Sequence, residues 1–272
     1  MMSWRWLLWL IPLYLVALVV MAPARLVFWF VGEGGGPGSA PLSAPGSGPG
    51  SAPLSFSGVS GTIWQGEASI QAALPTGGTL SLNNVTWQLS PWQLFTGEAN
   101  VALKIPSSNY IYGKATITAS SDEARIQANL KGAMQPAIQQ LQLPVPITMA
   151  GDFELNIENY QVSDFQSGKF CDTLDGTFAT SRTEMRLNHQ WHPLGDYQTK
   201  LSCTQQNGIN AIIDDNNLVG LRLNAQVNGR IASPQVSVSG SIKPTLQTPK
   251  PVTDVLVFLG KPDAQGRYNF KW

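Results

Sequence analysis

Charge is scarce in this chain. Lysine and arginine number 17 and aspartate and glutamate 17, so net charge is zero and charged residues are only 12% of the 272. No basic run occurs, which excludes nucleic-acid binding driven by phosphate neutralisation. There are two histidines. His189 and His192 stand at i and i+3 in NHQWHP, a spacing that faces opposite sides of a strand, with no third histidine to complete a metal site. No G-x-S-x-G elbow, phosphate loop or dinucleotide fingerprint appears. Asp172, Asp175 and the Asp214–Asp215 pair lie in turn-like contexts, where aspartate caps turns more often than it catalyses. A hydrolase would need converging titratable groups, and the sequence names none. The expectation is a protein that is not an enzyme, with no cofactor and no metal.

One long apolar run is present. It covers Trp6, Leu7, Leu8, Trp9, Leu10, Ile11, Pro12, Leu13, Tyr14, Leu15, Val16, Ala17, Leu18, Val19 and Val20, and continues uncharged to Ala24. About nineteen residues at roughly 1.5 Å rise reach about 28 Å as a helix, close to the ~30 Å hydrocarbon core. Trp4, Trp6, Trp9 and Arg5 crowd its start, where amphipathic rings and a cation suit the headgroup region. A membrane helix also tolerates Pro12 better than a water-soluble one does. A buried core helix is the bland alternative, and such helices are usually shorter. A cleaved signal peptide is the sharper one, with Arg5 as n-region, Leu7–Val20 as h-region and Ala22-Pro23-Ala24 as an A-x-A-like site. The aromatic start and the length favour a retained single-pass anchor over 1–31, and the two cysteines and the large polar region that follow argue for a cytoplasmic N-terminus with the remainder exported. No second long apolar run follows.

The composition then changes. Gly32–Ser57 is Gly, Pro, Ser and Ala with one charge, Glu33, and carries the duplication PGSAPLS at Pro37–Ser43 and Pro49–Ser55. Such a stretch buries no core and reads as a flexible linker over 32–57. About 25 residues of this kind span on the order of 25–30 Å. The duplication serves equally as a spacer or as a neutral insertion.

From Gly58 the period is two. Trp64, Gly66, Ala68, Ile70 and Ala72 share one parity, as do Val85, Trp87 and Leu89, then Phe153, Leu155 and Ile157, then Leu221, Leu223, Ala225 and Val227. Polar residues fill the other parity, as in antiparallel strands with one wet face. Gly and Asn or Asp clusters punctuate the runs as turns. Helical exceptions are expected within Gly132–Leu143 after Pro136, and over Val252–Leu259 ending at Gly260. The class is therefore mainly β: an N-terminal membrane helix followed, over 58–272, by an antiparallel, curved β-sheet domain with one or two short helices.

Cys171 and Cys203 are the only cysteines, about 30 positions apart. Cys203 shares the inward parity of Leu201 and Tyr197 in KLSCTQ. In an oxidising compartment one disulfide is their simplest use, stabilising by about 3–4 kcal/mol. Two separate buried thiols are the alternative.

Two segments carry a family resemblance. GVSGTIWQGEA at Gly58–Ala68, with Gly61, Thr62, Trp64 and Gly66, resembles the opening motif of protein N of the bacterial type II secretion system. FLGKPDAQGRYNFKW at Phe258–Trp272 resembles that family's closing segment, with Leu259, Gly260, a D-x-x-G turn at Asp263 and Gly266, and Arg267-Tyr268. VTWQLSPWQLFTGEA, the LGDY at Leu194–Tyr197 and LRLNAQVNGRI stand between them in the family's order. The linker and the cysteine pair are departures from the family pattern. The resemblance implies a non-enzymatic inner-membrane subunit with a periplasmic β domain. Such a subunit works with other inner-membrane and periplasmic secretion subunits as folded proteins are exported from the periplasm across the outer membrane. The family is also distantly similar to AsmA-type envelope proteins. That likeness implies the alternative function, a membrane-tethered or secreted β protein handling lipid or another hydrophobic ligand.

Overall fold

The computed structural model describes Tyr14 and residues 21–24, 40–42, 54–73, 78–141, 148–164, 167–230 and 233–271. Most of the apolar run and of the Gly/Pro/Ser stretch lies outside the described residues. Among the described residues no helix is long and apolar enough to cross a membrane.

Alternating sequence gives a single open sheet of 14 strands, each hydrogen-bonded to the next in chain order and antiparallel to it. The strands are β1 Ala40–Leu42, β2 Leu54–Gly61, β3 Gln65–Ala73, β4 Thr79–Leu89, β5 Ala99–Ile105, β6 Ile111–Ala119 and β7 Glu123–Ala133. They continue with β8 Met149–Ser163, β9 Thr173–Leu187, β10 Gln190–Cys203, β11 Ile209–Ile213, β12 Leu221–Arg230, β13 Ser233–Ile242 and β14 Tyr268–Lys271. Register shifts interrupt the β2–β3, β3–β4, β7–β8, β8–β9 and β9–β10 ladders. Bulges of this kind bend a strand and increase its twist.

The register extends the period-two pattern across the whole sheet. Leu103, Ala115, Ala128, Ile157, Gly176, Leu201, Ala211, Ala225 and Val238 are successive partners from β5 to β13. One residue along each strand lies a second row, Lys104, Lys114, Asn129, Asn156, Thr177, Lys200, Ile212, Asn224 and Ser239, polar but for Ile212. Neighbouring positions on a strand face opposite sides, so one face is aliphatic and the other polar.

Two pieces of the stretch read from composition as linker are strand. β2 begins at Leu54, four residues before Gly58. Ala40-Pro41-Leu42, from the first copy of the duplication, pairs with Leu54–Phe56, and Leu42 stands opposite Leu54 of the second copy. Proline fits here because β1 is the sheet's edge, where one side of the strand needs no ladder donors.

Among the described residues three short helices interrupt the meander: α1 Pro91–Leu94, α2 Met134–Leu141 and α3 Lys250–Val255, the last continuing as a 3-10 turn over Leu256–Leu259. α2 and α3 lie in the two stretches where the sequence places helices, but α2 starts at Met134, two residues before Pro136 rather than after it, and α3 starts at Lys250 and is 3-10 from Leu256. Pro136 lies within the first turn of α2, where its missing N–H removes no intrahelical bond. The 3-10 turn ends at Gly260, whose φ is 105°. α1 has the signal of a helix start, Ser90 followed by Pro91 at the first helical position, but at one turn it carries no period that could reveal it.

The core is small and lies at the end of the sheet near α2 and α3. Leu194, Val219 and Val252 are buried together, with Met149, Met185, Leu187, Tyr197, Leu218 and Leu221 packed around them. α3 thus closes over the ends of β8, β9, β10 and β12. Tyr197 donates from its hydroxyl to the Leu194 carbonyl at 3.0 Å, and burial pushes its pKa up to about 12.

Candidate interaction surfaces

The opening motif builds a hairpin corner. Gly61 and Gly66 are register partners closing β2 and β3. Between them Thr62 donates its N–H to the Gln65 carbonyl at 2.8 Å, and its Oγ1 accepts from the Gln65 N–H at 3.2 Å. The Trp87 indole donates to the Ile63 carbonyl at 3.3 Å, and the Trp64 carbonyl accepts from the Leu89 N–H at 2.7 Å. The same corner receives the N-terminal segment. Ile63 donates its N–H to the Ala22 carbonyl at 3.1 Å, Pro23 bridges to Thr62, and Ala24 is buried.

The closing motif builds a turn at the other end of the strands and the other edge of the sheet. Asp263 Oδ1 accepts the backbone N–H groups of Gln265 (2.9 Å) and Arg267 (2.8 Å), and Oδ2 accepts from the Asn269 amide (3.1 Å). These bonds, that from the Arg267 N–H first, hold its carboxyl below the usual range. Arg267 reaches Asp215 at 2.9 Å, where Arg222 also approaches at 3.4 Å. The bond from Arg267 is the largest cause lowering the Asp215 pKa. Leu259 and Gly260 end the 3-10 turn, and Tyr268 opens β14 opposite Ile242. The two motifs are thus brought to separate corners and form no common site.

Cys171 and Cys203 are joined by a disulfide with Cα atoms 6.0 Å apart. Around it Asp172 Oδ2 accepts from the Ser163 N–H (2.7 Å) and hydroxyl (2.8 Å), and Lys169 pairs with Oδ1. Burial raises the Asp172 pKa, but these bonds outweigh it and hold the carboxyl low. The Phe170 and Cys171 N–H groups both donate to the Asn207 carbonyl, fastening the loop before β9 to the β10–β11 turn.

Of the remaining candidates, His189 forms with Asn188 a two-residue turn of positive φ, and His192 lies on β10. Among the described residues no group of three or more His, Cys, Asp or Glu could hold a metal. Asp175, Asp196, Asp214 and Lys200 line a shallow polar cleft of about 360 Å³. Asp196 Oδ1 accepts from the N–H of Arg182, a residue at φ 52° in a β9 bulge.

Two features are not evident from the pattern. Where β5 stops short, the Asn109 side chain stands in for a strand: its Oδ1 accepts from the Asn83 N–H (2.7 Å) and its Nδ2 donates to the Asn83 carbonyl (2.9 Å). The α1 loop presents Trp92, Leu94 and Phe95 to solvent. Leu246, Val257 and Phe258 do the same near α3, at the opposite end.

A family model described as "Type II secretion system (T2SS), protein N" matches residues 52–271. The chain is 26% identical over 225 residues to the type II secretion system protein N of Aeromonas hydrophila, covering 80% of this chain and 83% of that protein. It shows the same 26% identity over 225 residues, with the same coverage, to the type II secretion system protein N of Vibrio cholerae serotype O1. No solved structure matches.

Proposed function

The chain belongs to the type II secretion system protein N family, and from that premise we propose that it is a single-pass inner-membrane subunit of that machine. In this reading the N-terminus is cytoplasmic and the sheet stands in the periplasm, supporting export of folded proteins across the outer membrane without catalysis. The observation that carries it is the extent of the match: residues 52–271 span the sheet from β2 to β14.

The physical features are consistent with the role. The uncharged run Trp6–Ala24 has the length of a membrane span, and a disulfide suits an oxidising compartment. The chain as a whole carries few charges and no net charge for long-range steering. Partners, taken to be other secretion subunits, are then met at short range through sheet edges and exposed apolar tips. Tethering raises the local concentration at which they meet.

Deletion of the gene in its native host tests the proposal. Exoproteins should accumulate in the periplasm and fall in the medium, and restoring the full chain should reverse both. Normal secretion in the deletion strain would overturn it.

A further inference from the structure

The loop from Ser90 to Gly97 holds no charged residue. Every side chain from Pro91 to Glu98 is exposed. Its apolar members are large and grouped: Trp92 is 78% exposed, Phe95 84%, and their ring centroids are 6.1 Å apart. Nothing in the described chain covers them. A one-turn helix with aromatic and aliphatic groups turned to solvent gains nothing from folding alone, because apolar burial is what stabilises a fold. The side chains therefore suit a surface outside the chain.

Its position specifies that surface. Leu89, at the base of the loop, donates its N–H to the Trp64 carbonyl at 2.7 Å. The neighbouring Ile63 N–H donates to the Ala22 carbonyl at 3.1 Å. Ala22 lies at the end of the uncharged run that begins at Trp6. The α1 loop and the exit of that run are thus fixed to one corner of the sheet by two backbone hydrogen bonds. Met21, next to Ala22 in the chain, is also exposed. Tryptophan and phenylalanine are suited to the boundary between headgroups and acyl chains, where rings are buried beside polar groups.

We propose that Trp92, Leu94 and Phe95 form a foot that inserts into the membrane interface beside the N-terminal anchor and holds the sheet upright on the bilayer. The occupant of this patch is lipid. The proposal rests on the reading of Trp6–Ala24 as a retained anchor. Phe258, 89% exposed at the opposite end of the sheet, stays in water.

The test uses the full chain in vesicles of phosphatidylethanolamine and phosphatidylglycerol. Because Cys171 and Cys203 are bonded to each other, Phe95→Cys adds a single reactive thiol for an environment-sensitive fluorophore. Trp92→Cys, Tyr14→Cys and Phe258→Cys are labelled in parallel, position 14, midway along the apolar run, being read with lipids spin-labelled near the acyl-chain end. Expected is a blue-shifted emission at positions 92 and 95, quenched at least about twofold more by lipids spin-labelled near the headgroup than at position 258. Quenching at 92 and 95 no greater than at 258 overturns the foot, and is also the outcome if the patch serves a protein partner. If position 14 is quenched while 92 and 95 are not, the foot alone fails. If none is quenched, the anchor fails with it. Quenching at 92 and 95 without quenching at 14 overturns the proposal as stated, because the foot would then sit beside no anchor.

Discussion

Trp87 lies over Gly66 across the β3–β4 ladder: the two are register partners, and a Cβ on the glycine would collide with Cζ2 of the indole and with the Ser60 carbonyl. The arrangement recurs at Gly132 with Phe153 and at Gly240 with Phe270. Each glycine lacks a side chain to cover its own strand, and the ring of the partner supplies that cover. In a single-layer sheet with little core, rings laid flat on neighbouring strands replace part of what a second layer would bury.

Gly66→Ala is accordingly expected to destabilise the sheet by about 1–3 kcal/mol, as overpacking does. Urea unfolding reads the effect. Adding Trp87→Leu should recover part of the loss, and an unchanged midpoint in the single variant would contradict the close approach.

The side chain of Asn109 takes the place of a missing strand partner, so its loss leaves the Asn83 N–H and carbonyl unsatisfied in a part-buried position. Asn109→Ala should cost about 1–3 kcal/mol. Asn109→Asp retains the acceptor and loses the donor. Its hydrogen exchange at the Asn83 amide should stay slower than in the alanine variant.

Thiol labelling of the denatured, unreduced protein should find no free cysteine, since Cys171 and Cys203 are bonded. Cys203→Ser should lower stability by about 3–4 kcal/mol by releasing the loop in the unfolded chain. Two labelled thiols in the native sequence would refute the bond.

Asp215 and Asp263 both have carboxyl pKa values held below the usual range, each chiefly by a bond from Arg267. A folded value below the unfolded one stabilises above the unfolded pKa and is lost as pH falls through the folded value. The thermal midpoint should therefore drop as pH falls below about 4, and the drop should flatten in an Asp215→Asn, Asp263→Asn double variant. An equal drop in both proteins would remove these carboxylates from the acid response.

Removing Met1–Val31 should leave a folded β protein that no longer supports secretion at native expression, because tethering supplies the effective concentration that sparse surface charge does not. The same sheet on an unrelated single-pass anchor should restore export of the exoproteins. Full complementation by the anchor-free form would show that location at the membrane is not required.

The period-two alternation determined much of this protein by itself. It announced strands, turns and an apolar parity, because side-chain direction alternates along any extended chain whatever it pairs with. The inward parity of Cys203 was legible for the same reason, and α2 and α3 were legible in outline from Pro136 and from the stop at Gly260. What alternation leaves open is pairing. Only the tertiary structure joined the parities of separate strands into rows such as Leu103 to Val238, and laid Trp87 on Gly66. It set Asn109 where β5 stops, and showed that Ala40–Leu42 is strand because an edge accepts proline. It also placed the opening and closing motifs at opposite corners. Those outcomes depend on register, and register is fixed by the sum of many cross-strand contacts that no single stretch of sequence contains.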